Sequence, residues 1–218
     1  MAIIGPAQFI PQINPSKRNV SGCATPPPKT PDAKDPISSV PEGKAVVVFF
    51  RLKQAPILES LIFEKQKVDD LKFLTVSQSN TQIRMVVEPG KHEYVISASY
   101  EGKVSQNADL LVADFAPNKV YYVQIIPRVV YHFGFSSSPV NSFRCVPKSL
   151  PQKELSEIRG EINSTRVVEL DVSRLEGSQN SEKLKALLRE AESRYKRANE
   201  TQTRYQTVLP QYGIDSMF

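Results

Sequence analysis

The chain is short of the side chains on which most catalysis rests. Its 218 residues hold 2 histidines, His92 and His132, and 2 cysteines, Cys23 and Cys145. Neither histidine stands at a metal-ligand spacing from a cysteine or a carboxylate, so no metal site is predicted. Two cysteines exclude a disulfide framework. Cys145 with His132 could form a nucleophile and base, but no further signal accompanies the pair, and a buried, idle thiol is the better reading of Cys145. His92 follows a Pro-Gly turn, where a turn-stabilising hydrogen bond is expected of it. The 9 glycines are scattered singly, which excludes a glycine-rich phosphate loop, and Asp69-Asp70 reads as a solvated turn. No stretch reaches the ~18 apolar residues of a transmembrane helix. Charge is not segregated by sign: 28 Lys+Arg against 23 Asp+Glu give a net +5 and a pI of about 9.1, weak grounds for a nucleic-acid or anionic-membrane partner. These absences predict a non-enzyme with no cofactor.

What the chain has in excess is proline at its start. Of 17 prolines, nine (Pro6, Pro11, Pro15, Pro26, Pro27, Pro28, Pro31, Pro36 and Pro41) fall in a stretch with no sustained apolar period. Residues 1–42 are therefore read as a Pro-rich arm or tether. Within it, Val20-Ser21-Gly22-Cys23 has the form of a bacterial lipoprotein processing site, which makes Cys23 a candidate lipid attachment residue. Ala24 to Pro31 continues as an extended, polyproline-rich spacer. Against this stands the segment before Val20, where Pro6, Pro11 and Pro15 break any apolar helix and Lys17-Arg18-Asn19 occupy the place where a signal's hydrophobic segment ends. Three readings stay open: the start residues are not the native ones, the tetrapeptide is a coincidence in a disordered arm, or export uses another signal.

From Lys44 the pattern turns to strands. Ala45 to Leu52 is a continuous β-branched and aromatic run suited to burial on both faces. Ile57 to Glu64 and Leu71 to Ser77 are predicted strands around a polar turn. Gln82 to Glu88 alternates through Ile83, Met85 and Val87, and Glu93 to Tyr100 through Tyr94, Ile96, Ala98 and Tyr100. Between them, Pro89-Gly90 carries type II turn chemistry, which suits a slightly wider connection or a corner between sheets better than a tight two-residue hairpin. Ala108 to Phe115 and Val120 to Ile126 complete about seven strands. Residues 43–135 are thus read as a β-sandwich domain, 136–163 as a connecting segment, and 164–218 as a C-terminal strand plus helix. The strand is expected over 164–172, alternating through Val168, Leu170 and Val172. The helix is expected over 181–209, from a Ser181 cap to Pro210. The fold class is mainly β: a small Ig-like or prealbumin-like antiparallel β-sandwich with a C-terminal strand and an amphipathic α-helix.

That helix carries a seam of Leu184, Leu188, Ala191, Tyr195, Ala198, Gln202, Tyr205 and Leu209 at alternating steps of four and three. The seam either docks a partner or a second copy, or covers the chain's own sandwich; its two alanines and a glutamine favour the second. Glu190 with Arg194 and Glu192 with Lys196 are i,i+4 pairs on the other side. Lys183, Lys185, Arg189, Arg194, Lys196, Arg197 and Arg204 are interleaved with Glu182, Glu190, Glu192 and Glu200, which makes nucleic-acid binding the weakest reading.

The VVVFFR strand at 46–51, the VEPGKHEYVI stretch at 87–96 and the NKVYYVQI stretch at 118–125 together resemble an uncharacterised bacterial lipoprotein β-sandwich domain family, over roughly residues 41–130. The resemblance implies a sandwich at the cell envelope, on the periplasmic side of the outer membrane, with no chemistry to carry over. The expected function is a structural or binding module, a lipoprotein component of a larger protein assembly reaching the membrane through a lipidated Cys23. The alternative is an unlipidated adaptor or structural subunit of a multiprotein particle, with a cytoplasmic location.

Overall fold

The computed structural model describes residues 32–33, 37–53, 59–67, 70–100, 103–131, 137–170 and 181–217. Cys23 and His132 lie outside them.

The two-face apolar run makes β1 (Ala45–Arg51), every residue of which is buried. It is the middle strand of a five-stranded sheet. On one side it pairs antiparallel with β4 (Thr81–Val87). On the other it pairs parallel with β7 (Lys119–Tyr131), which continues antiparallel into β8 (Ser137–Cys145). A two-residue strand, β9 (Arg166–Val167), adds parallel to β4 and gives the order β8-β7-β1-β4-β9.

The second sheet holds β2 (Glu59–Lys67), β3 (Asp70–Ser77), β5 (Gly90–Tyr100), β6 (Lys103–Phe115) and β10 (Thr207–Val208), in the order β10-β6-β5-β2-β3. Ala45, Val47, Phe49, Ile83, Tyr121, Val123 and Phe143 face Ile62, Tyr94, Ile96, Leu111 and Phe115 in the core between the sheets. Pro89-Gly90 turns the chain from one sheet into the other with Gly90 at φ 113°, a value an L side chain adopts only under strain. Asn118, at φ 57°, makes another such corner. Its amide donates to Lys44 O (2.6 Å) and its side chain accepts from Gly43 N (2.7 Å), which fixes the parallel register of β1 and β7.

Both sheets are covered outside as well. Helix α2 (Ser181–Arg197) lays Leu184, Leu187, Leu188, Ala191 and Tyr195 over Leu61, Phe63, Phe73, Val95 and Leu110 of the second sheet. Helix α1 (Gln152–Asn163) covers Val46, Val48, Phe50 and Tyr122 of the first with Leu155, Ile158 and Ile162, beside Ile37, Val40, Ile214 and Met217. The domain is therefore mixed α and β, sandwich-like, with helix, sheet, sheet and helix in layers.

Four expectations need correction. The sandwich is not purely antiparallel, because β1–β7, β4–β9 and β6–β10 run parallel. The stretch 136–163, read as a connection, supplies β8 and α1. Of the strand expected over 164–172, the described residues hold only β9, with Val168 bridging Asp32 while Leu170 is 48% exposed; Val172 lies outside them. The helix over 181–209 ends at Arg197. Helix α3 (Glu200–Tyr205) restarts after Asn199, whose side chain accepts from Gln202 N (2.9 Å) while its own amide donates to Gln202 Oε1 (3.1 Å). The arm, in turn, is partly bound to the domain. Ala33 N donates to Val167 O, Asp32 pairs with Arg166 at 2.7 Å, and Arg84 donates to Ile37 O (2.8 Å).

Candidate binding groove

A groove of about 640 Å³ opens where β6, β8 and the α2–α3 break meet. Its floor is Asp109 on β6, 3% exposed, in a stretch of that strand, 108–113, that is otherwise apolar. Burial pushes this carboxyl upward, while Arg194 and Arg128 and a hydrogen bond from Gln206 pull it back. Arg194 Nε reaches Asp109 Oδ1 at 3.1 Å from α2, so the expected Glu190–Arg194 pairing gives way to a tie from helix to sheet. Glu192 likewise turns to Lys65, at 2.9 Å, and Lys65 also holds Glu93 at 2.7 Å. Two cations are left facing the groove. Arg128 stands exposed on its rim and acts on Asp109 through space, and Arg197, whose Nε donates to Ser193 O (3.2 Å), approaches Glu190 only at 4.0 Å. Gln206, 8% exposed, lines the wall, and its Oε1 has no partner among the described residues.

The groove offers charged and hydrogen-bonding groups from Asp109, Arg128, Glu190, Arg197 and Gln206. Sequence reasoning missed it. The available signal was Asp109 itself, an acid between Ala108 and Leu110 inside a predicted strand, where a buried charge calls for a partner.

The expected site residues fall in different places. Leu184, Leu188, Ala191 and Tyr195 pack on the chain's own sheet. Ala198 lies at the helix break and lines the groove together with Tyr205, which is 48% exposed, while Leu209 leads into a 3-10 turn at Pro210–Tyr212. Cys145 is buried, and its thiol donates to Tyr205 O (3.2 Å); burial raises it to about 12. Its suggested partner, His132, lies outside the described residues. His92 does what its place after the turn predicts. Nε2 sits 2.8 Å from Glu88 O and Nδ1 3.2 Å from Glu64 Oε1, with the ring stacked on Tyr94. Two acceptors need two N–H donors, which favours the imidazolium, and the Glu64 hydrogen bond raises its pKa.

Among the described residues no group of three or more His, Cys, Asp or Glu could hold a metal ion, and no helix is long and apolar enough to cross a membrane. Comparison with known protein families and with curated proteins finds no match for this chain.

Proposed function

We propose that the chain is a non-catalytic binding module of the bacterial cell envelope, held at the periplasmic side of the outer membrane through a lipid on Cys23 and working within a larger protein assembly. The groove carries the binding part of this reading, because it combines an exposed rim cation, Arg128, with an amide oxygen, Gln206 Oε1, that has no partner among the described residues. The anchoring part rests on Val20-Ser21-Gly22-Cys23, on the polyproline spacer after it and on the resemblance to the lipoprotein domain family. The finer fold assignment, Ig-like or prealbumin-like, rests on the seven main strands read from the sequence.

The topology supports a presenting role. The arm joins at β9, one edge of its sheet, and the groove lies at β8, the other. Four inter-strand steps of about 4.8 Å separate these edges by roughly 19 Å, so a domain tethered at one edge offers the groove away from its tether. One acyl chain binds a membrane only marginally, so a stable anchor requires the multiple acylation of a processed lipoprotein.

The alternative, an unlipidated adaptor or structural subunit, draws on one observation: residues 32–33 and 37–40 already pack on the domain instead of leaving it. Intact mass with N-terminal peptide mapping of protein from its native source separates the two. A chain beginning at Cys23 with added acyl mass is expected; an unmodified Cys23 within a longer chain refutes anchoring and favours the adaptor.

A further inference from the structure

Within that binding-module reading, we infer that the groove between α2, α3, β6 and β8 takes a peptide segment bearing a carboxylate, with the carboxylate on Arg128 and Arg197 and a neighbouring peptide N–H on Gln206 Oε1.

Charge comes first. The groove is lined by three arginines and two acids, Asp109 and Glu190. Arg194 is committed to Asp109 through Nε, and Glu190 partly offsets Arg197. Arg128 also acts on Asp109, but three arginines against two acids leave the lining one positive charge in excess, and Arg128 is exposed. A monoanion matches this balance. A phosphate dianion would meet the two carboxylates as well as the arginines, and nucleic acid would bring a row of such charges. The planar guanidinium also matches a carboxylate by paired parallel hydrogen bonds.

The second observation is independent of charge. Gln206 is fixed from two directions, since its carbonyl accepts from Val112 N (2.9 Å) and its side chain bonds Asp109. The side-chain oxygen is nonetheless buried without a partner among the described residues. A buried acceptor left unmade costs free energy that a ligand recovers only by bringing a donor. A carboxylate has none to give, whereas inorganic phosphate keeps an O–H at neutral pH and is set apart from a peptide by its charge. A peptide amide has one, a few ångströms from its own carboxylate. The volume, about 640 Å³, falls within the roughly 300–1,000 Å³ of ligand pockets. Tyr205, 48% exposed at the same wall, offers a ring for an apolar side chain beside the anion.

The test is an NMR titration of the isotopically labelled full chain. The probes are acetyl-Ala-Ala-Ala with a free carboxylate, acetyl-Ala-Glu-Ala amide, acetyl-Ala-Ala-Ala amide and inorganic phosphate. The first two separate a chain terminus from an acidic side chain as the source of the carboxylate. At least one of them is expected to give saturable shifts in the Gln206 side-chain amide and the Arg194 and Arg197 Nε–H signals. The neutral amide peptide is expected to bind about tenfold more weakly or worse. The exposed substitutions Arg128→Gln and Arg197→Gln, combined, should reduce carboxylate-peptide binding by a similar factor with the backbone spectrum otherwise unchanged. Equal binding of the neutral peptide, or no effect of the double substitution, overturns the carboxylate assignment and leaves a binding module that reads something else. Tighter binding of phosphate than of either carboxylate peptide overturns it in favour of an inorganic anion. No saturable shift with any probe overturns it and removes the groove as support for the binding reading, whereas the anchoring reading stands or falls separately on the mass measurement.

Discussion

Replacing Leu188 by alanine decides what the helical seam is for. Leu188 is 1% exposed, in one cluster with Leu61, Phe63, Phe73, Val95 and Leu110 of the sheet beneath α2. The substitution removes three carbon atoms, and at ~0.8 kcal/mol per buried methylene the lost transfer energy is about 2.4 kcal/mol. Incomplete collapse of the helix over the gap adds roughly 1 kcal/mol, for a total of about 3 kcal/mol, inside the usual range for buried leucines. With a urea m-value of about 2 kcal/mol per M, the midpoint followed by circular dichroism should fall by roughly 1.5 M. Tyr205→Ala, at a residue of the same predicted seam that is 48% exposed, should move stability by no more than about 0.5 kcal/mol. A loss below about 1 kcal/mol for Leu188→Ala, or a larger loss for Tyr205→Ala, would refute the conclusion that the seam's first half is core and restore it as a docking face.

The remaining predictions concern the corner, the tail and the thiol. His92 titrates above its ordinary 6.5 and Glu64 below its ordinary 4.5, each first because of the hydrogen bond between them. The raised histidine stabilises fully below 6.5 and loses its contribution as pH rises through the folded-state value, while the lowered glutamate stabilises above 4.5 and loses its share as pH falls through its own, so the contact is strongest between those values. The stability surplus of wild type over His92→Gln should accordingly shrink on going from about pH 5.5 to about pH 9, and a surplus independent of pH would refute the ion-pair account. A β-carbon at Gly213 would lie 2.7 Å from Lys119 Cβ and 2.8 Å from Tyr121 Cζ, so Gly213→Ala should cost about 1–3 kcal/mol. It should also speed amide exchange at Val120 and Ile214 together, since each donates to the other's carbonyl at 2.9 Å. In a Cys23→Ser background, Cys145 should react with a thiol reagent only as fast as the domain opens, because it is 4% exposed and its thiol is raised to about 12. Rapid labelling at neutral pH would show that the thiol is not enclosed.

Where the sequence was legible, local pattern and tertiary role agreed. Ala45–Arg51 is apolar at every position but its last, and it is buried on both faces; Ile83, Met85 and Val87 alternate and turn inward together. Pro89-Gly90 carried turn chemistry unsuited to a tight hairpin, and the chain does change sheet there. Strand β8 was missed because its sequence, SSPVNSFRC, holds serines, a proline and an asparagine, and is a strand by virtue of pairing with β7. Helix α1 was missed although Leu155, Ile158 and Ile162 stand at helical spacing after Pro151. Its C-terminal end is set by a distant residue: Gln82 Nε2 donates to Ile162 O at 3.1 Å and to Thr165 O at 3.3 Å, a bond that a reading along the chain does not reveal. Two of the parallel pairs were invisible for the same reason, since β9 and β10 are two residues long and exist only against their neighbours; the third joins β1 and β7, both legible as strands, whose pairing sets Ala45 against Lys119, far apart in the chain.

The misread helix and the missed groove are one event. A helix continued from Ala198 to Leu209 would add twelve residues at 1.5 Å each, about 18 Å of rod in the direction of α2. The steps of four and three persist across that stretch, which is why the seam read as continuous. Asn199 competes locally: a short amide side chain that caps a new helix stabilises the break by about 1 kcal/mol, and Gln202 closes the reciprocal bond. The redirected chain then gains what a straight helix could not reach. Tyr205 O accepts from Cys145, Val112 donates to Gln206 O, and Thr207–Val208 pairs with β6. These contacts place Gln206 beside Asp109 and leave a hollow on the side that α2 no longer fills. A capping box four residues long, Asn199 to Gln202, set inside an unbroken heptad pattern, thus converts the end of a covering helix into the wall of a groove.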